Sequence, residues 1–174
     1  MTTMAQDATI TMKGNPLTLV GKMPNVGDKA PDFVVVANDL KEVRLSDFAG
    51  KATLLISVPS LDTSVCSMEA HKFNQEAARM SDKFTVAVIS MDMPFAQKRW
   101  CGAEHADAIK TLSDHRQASF GQAYGVLIKE LRLLARAVFA IDKSGVIRHV
   151  ELVREVTHEP HYDAALKAVT EAAK

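Results

Sequence analysis

Three nearly continuous apolar runs constrain the fold of this chain more than any other feature of its sequence. They read ATLLISV at 52–58, FTVAVIS at 84–90 and AVFAID at 137–142. Runs of this length and composition are typical of strands buried on both faces of a sheet. Such strands need a further layer of structure on each side, so the runs predict a three-layer α/β sandwich around a central mixed sheet.

A helical pattern separates the first two runs. In VCSMEAHKFNQEAARM the apolar residues recur at helical spacing, namely at Ala70, Phe73, Ala77 and Met80. The order strand, helix, strand predicts a parallel crossover unit, because two parallel strands need a long connection between them.

Two more helices are predicted further along the chain. One begins at Pro94, a residue suited to a first helical turn, with Asp92 as its N-cap. The other closes the chain in HYDAALKAVTEAAK, where one face carries Tyr162, Ala165, Leu166 and Val169. Helices are therefore expected on both faces of the sheet.

Two hairpins and the absence of any repeat complete the predicted organisation. ATITMKGNPLTLVG is expected to turn around Gly14, Asn15 and Pro16, and AIDKSGVIRHVELV around 143–145. No repeat, low-complexity tract or linker divides the chain, which favours one domain over residues 1–174.

The composition excludes several classes of function. Lys plus Arg number 21 and Asp plus Glu number 21, so no basic field is available for nucleic acid or an anionic membrane. No segment approaches the roughly 18 apolar residues of a membrane span. The N-terminal segment carries Asp7 ahead of any apolar run and lacks the pattern of a secretion signal. We therefore expect a cytoplasmic protein whose two cysteines are buried thiols or a redox couple.

Cys66 stands where the first apolar run gives way to a helix, in the segment PSLDTSVC. The unpaired N–H groups and the positive dipole end of a first helical turn favour a thiolate, which is the reactive form of cysteine. Thr63, three residues earlier, is expected to bring its hydroxyl beside the sulfur. Pro59 has no N–H and can shield the sulfur from water. The pattern predicts a nucleophilic cysteine.

These residues resemble a known family. PSLDTSVC is similar to the peroxidatic loop of the peroxiredoxins, and DTSVC followed by HKFN is similar to that of their thiol peroxidase branch. Six further blocks stand in the order of that branch, namely GNPLTLVG, VGDKAPDF, SMDMPFAQKRWCGAE, QAYGV, LLARAVFAID and EPHYDAAL. The resemblance implies a single thioredoxin-like peroxiredoxin domain.

The resemblance also implies a reaction. Cys66 would attack the O–O bond of hydrogen peroxide or an organic hydroperoxide and become a sulfenic acid. Arg136 matches the arginine that lies beside the sulfur in the family, where its planar donors serve both thiolate and peroxide. Cys101 matches the resolving cysteine of the atypical two-cysteine mechanism, which forms an intramolecular disulfide that thioredoxin reduces. A homodimer is implied as well, and neither a cofactor nor a metal is.

Closing that disulfide is expected to require movement. Cys66 and Cys101 are too far apart in sequence for a CxxC arrangement and fall on different predicted helices. Because a disulfide needs Cα atoms within roughly 7 Å of each other, both cysteine-bearing segments are expected to unwind in part.

The sequence departs from the branch at three positions that follow Cys66. The branch usually has Ser-Val-Arg where this chain has Glu69, Ala70 and His71. A carboxylate one turn after the cysteine disfavours its thiolate unless an arginine offsets the charge. His71 replaces an arginine only in part, because its charge falls away as the pH rises. The departures bear on the degree of activation more than on the activity.

Plainer structural roles remain open for each candidate residue. Cys66 or Cys101 could be an inert buried thiol. Thr63 could be only an N-cap. Arg136 could be an edge-strand arginine paired with Glu130.

Other functional classes also remain open. A cysteine hydrolase would use His71 as its base, although no third orienting group is evident. A peroxide-sensing module without high turnover would keep the cysteines but need not keep the threonine and arginine. His158, Glu159 and His161 suggest a metal, but no further ligand stands at a zinc-site spacing.

Overall fold

The structure is a computed structural model that describes residues 9–80 and 83–174. The segment with Asp7, from which the lack of a secretion signal was predicted, lies outside these residues. No helix in the described part of the chain has both the length and the apolar character needed to cross a bilayer.

The predicted strands and helices occur in the predicted order, together with short elements that were not predicted. The strands are β1 Thr9–Met12, β2 Asn15–Val20, β3 Val34–Val36, β4 Glu42–Arg44, β5 Thr53–Ser57, β6 Thr85–Ser90, β7 Lys110–Ser113, β8 Leu127–Ile128, β9 Ala137–Ile141 and β10 Ile147–Leu152. The α-helices are α1 Ser64–Arg79, α2 Pro94–Glu104, α3 Ser119–Ala123 and α4 Tyr162–Ala172, and a 3₁₀ helix covers Leu45–Phe48.

A mixed seven-stranded sheet lies at the centre, in the order β10-β9-β5-β6-β7-β3-β4. Strands β5, β6 and β7 run parallel, and β9 pairs antiparallel with β5. The three apolar runs thus form three adjacent strands, and β5-α1-β6 is the predicted parallel crossover. A smaller sheet holds β1, β2 and β8.

Side chains of the central strands alternate between two apolar clusters, one on each face of the sheet. Leu54 and Ile56 of β5 join the cluster that contains Phe73 of α1, Trp100 of α2 and Val169 of α4. Leu55 points to the other cluster, with Phe48 of the 3₁₀ helix, Phe120 of α3 and Ile10 of β1. The predicted three-layer fold is confirmed, with the longer helices all on one face.

Both predicted hairpins form, and the first turns slightly earlier than expected. Lys13 and Gly14 make the turn, with φ of 51° and 81°, while Asn15 and Pro16 already belong to β2. The two-residue turn formed here has positive φ at both positions, as in a type I′ turn, and proline cannot adopt such a φ. In the second hairpin, Asp142 Oδ1 accepts the N–H groups of Ser144 and Val146.

The predicted N-cap of α2 is wrong. Met93 occupies the N-cap position, and Pro94 begins the helix as expected. The Asp92 carboxylate instead accepts the Leu61 N–H at 2.8 Å and the Ser60 hydroxyl at 2.7 Å. Because these donors belong to the loop that leaves β5, Asp92 fastens that loop to the end of β6.

Candidate active site

The pairing of β5 with β9 brings the two ends of the candidate site together. Ser57, the last residue of β5, pairs with Ala137, the first residue of β9. Arg136 immediately precedes β9 and therefore lies beside the loop that leads from β5 to α1. The Ser57 hydroxyl also donates to the Ala135 carbonyl at 2.7 Å, which fixes the strap, the segment 129–136 between β8 and β9.

Cys66 and Arg136 are in direct contact. The sulfur belongs to the third residue of α1, and Arg136 Nη2 donates to Cys66 Sγ at 3.1 Å. Both side chains are buried, with exposed fractions of 0% and 1%. The Arg136 Nε and Nη2 groups also donate to the Val156 carbonyl, at 3.2 and 3.0 Å. This carbonyl orients the plane of the guanidinium, so its Nη2 points at the sulfur.

Arg136 does not contact Glu130, the partner considered as an alternative from the sequence. The Glu130 carboxylate accepts the N–H of Thr18, and Arg136 is paired with Glu69. The structure therefore does not support the edge-strand ion pair.

Glu69 competes with the sulfur for the same guanidinium. It is fully buried, and its Oε1 has no hydrogen-bond partner in the described part of the chain. Burial raises the pKa of Glu69 to about 7; Arg136 opposes that rise, and Glu151 and Glu159 add to it. Arg136 thus provides the positive charge needed to offset the Glu69 carboxylate, and it interacts with both Glu69 and Cys66.

The charge of Arg136 is itself secured by this arrangement. Burial alone would lower the pKa of Arg136, but the neighbouring Glu69 and Cys66 outweigh burial and raise it. The cation therefore persists inside the apolar interior, where its donors act at low dielectric.

Thr63 lies near the site, but its hydroxyl is used differently from the prediction. It donates to the Ser60 carbonyl at 3.0 Å, and no hydrogen bond from it to Cys66 occurs among the described residues. It occupies the N-cap position by its extended backbone, without a side-chain cap bond. A serine or threonine hydroxyl readily bonds to a nearby backbone group in a turn, and that local bond wins here.

A pocket of about 330 Å³ opens over Arg136. Its walls are mainly apolar and include Pro59 and Thr63. The complete lining is Met12, Lys13, Pro59, Thr63, Ser64, Val65, Arg136, Val156 and Thr157. Four of the five predicted site residues, the exception being Cys101, thus line this pocket or contact a group that does.

The N-terminal hairpin supplies part of that pocket, which sequence reasoning missed. Thr11 pairs with the loop after β10, since its N–H donates to Arg154 O and its carbonyl accepts the Val156 N–H, both at 2.8 Å. Met12 and Lys13 are thereby placed at the pocket wall. No spacing in the sequence indicates a contact between segments more than 140 residues apart.

Cys101 lies in α2, partly buried, and both cysteines are free thiols. Its Sγ is 3.2 Å from Thr111 Oγ1 and 3.9 Å from Asn38 Nδ2. The two cysteines occupy different helices, as expected, and contribute to one apolar cluster.

The histidines take no part in this arrangement. His71 Nε2 faces Gln75 at 3.3 Å rather than Cys66, so the hydrolase base is not in place. His161 Nδ1 contacts Glu151 at 2.8 Å, and Glu159 accepts the Tyr162 hydroxyl. Across residues 9–80 and 83–174, no group of three or more His, Cys, Asp or Glu side chains is close enough to hold a metal ion.

Comparison with known proteins assigns the family. The profile described as Redoxin matches residues 25–166. The chain belongs to the redoxin family. Among curated relatives, it is 52% identical to the thiol peroxidase of Bacillus subtilis over 92% of this chain and 96% of the relative. It is 54% identical to the thiol peroxidase of Halalkalibacterium halodurans over 95% and 99%, respectively.

Solved structures of similar proteins agree with this assignment. A peroxiredoxin-like protein from Aquifex aeolicus superposes with a TM-score of 0.89 at 45% identity, covering 95% of this chain and 97% of that one. A thiol peroxidase from Chromobacterium violaceum has a TM-score of 0.85 at 21% identity, over 98% and 100%, and shows the shared fold. The resemblance to the thiol peroxidase branch and the predicted thioredoxin-like fold are confirmed.

Proposed function

We propose that this redoxin is a thiol-dependent peroxidase that reduces hydrogen peroxide and organic hydroperoxides. The observation that carries the proposal is the 3.1 Å contact between Arg136 Nη2 and Cys66 Sγ, beneath an open pocket. The names of the curated relatives agree with this activity. No observation favours the alternative of a sensing module.

In the proposed first step, the Cys66 thiolate attacks one oxygen of the peroxide and the O–O bond breaks. The sulfur is oxidised to a sulfenic acid, and the leaving oxygen takes up a proton to become water or an alcohol. Negative charge grows on that oxygen in the transition state, so donors fixed beforehand lower the barrier. Arg136 is suited to this, because it lies on the pocket and already donates to the sulfur.

Thr63 and Pro59 are proposed to shape the peroxide site. The Thr63 hydroxyl donates its hydrogen bond to the Ser60 carbonyl, so the lone pairs of its oxygen can accept a hydrogen bond from a peroxide O–H. Pro59 is buried at the pocket wall and adds no competing donor.

In the proposed second step, the Cys101 thiol attacks the sulfenic sulfur of Cys66. A disulfide forms and water leaves, which carries away the sulfenic oxygen. Thioredoxin then reduces the disulfide by thiol–disulfide exchange and is itself oxidised. The free state and partial exposure of Cys101 support this role.

The pocket lining supports organic hydroperoxides as substrates. Met12, Val65 and Val156 offer apolar surface to an alkyl group, while Arg136 serves the peroxide end.

We also make proposals about the domain organisation, the oligomeric state and the compartment of the protein. We propose one domain over residues 1–174, supported by a central sheet that combines strands from Val34 to Leu152. We propose a homodimer, supported by the exposed apolar side chains of Met93 and Phe95 at the start of α2. We propose the cytoplasm as its compartment, because a cysteine pair that cycles needs a reducing environment.

The test is a single turnover with one equivalent of hydrogen peroxide, followed by acid quenching and mass spectrometry. We expect a disulfide in the wild type, a sulfenic acid in Cys101→Ser and no fast reaction in Cys66→Ser. Rapid oxidation of Cys66→Ser would refute the assignment of the nucleophile. Steady turnover with thioredoxin, thioredoxin reductase and NADPH separates a peroxidase from a sensing module, which would form the disulfide without sustained NADPH consumption.

A further inference from the structure

A hydrogen bond joins the two helices that carry the cysteines. Trp100 Nε1 donates to Ser67 Oγ at 2.9 Å, and Trp100 is 7% exposed. In the described part of the chain this is the one side-chain hydrogen bond between α1 and α2. Its partners are the residue directly after Cys66 and the residue directly before Cys101. The bond therefore spans the two segments whose separation the disulfide must overcome.

At both positions the backbone lies close to a helix end, where backbone hydrogen bonds are fewer than in a helix interior. The Ser67 N–H donates to the Thr63 carbonyl at 2.9 Å, which is the first backbone bond of α1 after its N-cap. The Cys101 carbonyl accepts the Ala106 N–H at 3.0 Å, within the closing turn of α2. Gly102 lies in that turn with open space around it, and glycine is a poor helix former. The Ser67–Trp100 bond therefore ties the two helix ends to each other, in addition to the contacts of Cys66 with Arg136 and of Cys101 with Thr111.

We propose that the Ser67–Trp100 hydrogen bond keeps the two cysteine-bearing segments in the conformation that reacts with peroxide, and that its opening limits the rate of disulfide formation. The inference rests on the proposed function, because it assumes that Cys101 resolves the sulfenic acid of Cys66. Ser67 and Trp100 are positioning residues in that step. The chemistry is unchanged: the Cys101 thiol and the Cys66 sulfenic acid form a disulfide and release water.

Two substitutions remove the bond from opposite sides. Ser67→Ala deletes the acceptor, and Trp100→Phe deletes the donor while keeping an aromatic ring in the cluster. A neutral hydrogen bond of ordinary net strength corresponds to roughly a 2- to 10-fold change in an opening equilibrium. We expect disulfide formation to accelerate by that factor in each variant, and more in Ser67→Ala, which leaves a buried indole N–H without an acceptor. Oxidation of Cys66 by peroxide should keep its wild-type rate.

The experiment is rapid acid quenching after one equivalent of hydrogen peroxide, with sulfenic acid and disulfide quantified separately by mass spectrometry. Met68→Ala is the matched control, because Met68 adjoins Ser67 on α1 but faces solvent. Both of its rates should match the wild type. In Ser67→Ala/Trp100→Phe, the acceleration should be smaller than the product of the two single effects, since both remove one interaction.

Three outcomes would overturn the inference: unchanged disulfide formation in both single variants, fully multiplicative effects in the double variant, or an equal acceleration in Met68→Ala. None of these would affect the proposed function, which is tested independently by Cys66→Ser and Cys101→Ser. If Cys101→Ser formed no persistent sulfenic acid, the proposed function would fail instead. A second readout is the emission of Trp100, the single tryptophan of the chain, which should change with disulfide formation and not with sulfenic acid formation.

Discussion

At the scale of single residues, the site depends on how the hydrogen bonds of the Arg136 guanidinium are distributed among its partners. Arg136 donates to Cys66 Sγ, to the Val156 carbonyl and to Glu69. The charge of this carboxylate changes near neutral pH, because burial raises the pKa of Glu69 to about 7. When Glu69 is protonated, more of the guanidinium charge acts on the sulfur.

The shifted pKa of Glu69 predicts a pH dependence of stability. Folding disfavours the charged form of Glu69. Glu69 therefore does not lower the free energy of unfolding below its ordinary pKa of 4.5, and it lowers that free energy by the full amount once the pH exceeds about 7. The shift corresponds to a cost of about 3 kcal/mol. In a Cys66→Ser background, the unfolding free energy of the Glu69→Gln protein minus that of the Glu69 protein should therefore rise between about pH 5 and about pH 8.

Urea unfolding across that pH range measures the difference. A constant difference between the Gln and Glu proteins would show that the ion pair with Arg136 keeps Glu69 ionised throughout, and would contradict the predicted shift.

At the scale of secondary structure, the sequence predicts most of what carries the site, and the misses have physical causes. The three apolar runs and α1 were predictable because burial on both faces and helical periodicity are local patterns. Strand β7, with the sequence KTLS, is short and begins with an exposed lysine. It forms because β6 and β3 flank it, which no local pattern encodes.

The same distinction applies to the candidate site residues. Cys66, Pro59 and Thr63 lie in one local motif that their spacing indicates, and Arg136 was matched through the resemblance. The Thr63 hydroxyl donates to the Ser60 carbonyl and not to the sulfur, because a local turn bond competes with the sulfur. The wall contributed by Met12 required knowledge of tertiary pairing.

Packing of α1 against the sheet should determine the stability of the element that carries Cys66. Phe73 is fully buried, and its ring centroid is 5.1 Å from that of Tyr162. Phe73→Ala should lower the free energy of unfolding by about 3–5 kcal/mol, through lost burial and the cavity left behind. Met68→Ala, on the exposed side of the same helix, should change it by less than about 0.5 kcal/mol. Chemical denaturation measures both, and comparable losses would contradict this account of the packing.

At the scale of the whole molecule, the N-terminal hairpin is attached to the loop that orients Arg136. Glu155 accepts the Thr11 hydroxyl at 2.5 Å and the Lys13 N–H at 2.8 Å, and these bonds hold its pKa well below the ordinary range. The Glu155 carboxylate thus holds the N-terminal hairpin, which forms part of the pocket wall, against a loop near the other end of the sequence.

Loosening this attachment should affect large substrates selectively. In Glu155→Ala, the rate constant for cumene hydroperoxide should fall several-fold, because the wall with Met12 and Lys13 is no longer fixed. Hydrogen peroxide is too small to depend on contact with that wall, so its rate constant should change little. Stopped-flow oxidation with both peroxides measures the ratio, and a ratio equal to that of the wild type would contradict the role of the hairpin in the pocket.

The most direct test of the central claim, that Arg136 activates Cys66 for attack on peroxide, is the second-order rate constant of Cys66 oxidation in Arg136→Lys. A lysine keeps the positive charge but loses the planar set of donors that serves the sulfur, the Val156 carbonyl and the substrate together. We expect the rate constant to fall by about 100-fold or more, while Arg132→Lys, an exposed arginine in the same strap, keeps the wild-type rate. If Arg136→Lys reacted as fast as the wild type, the claim would be wrong.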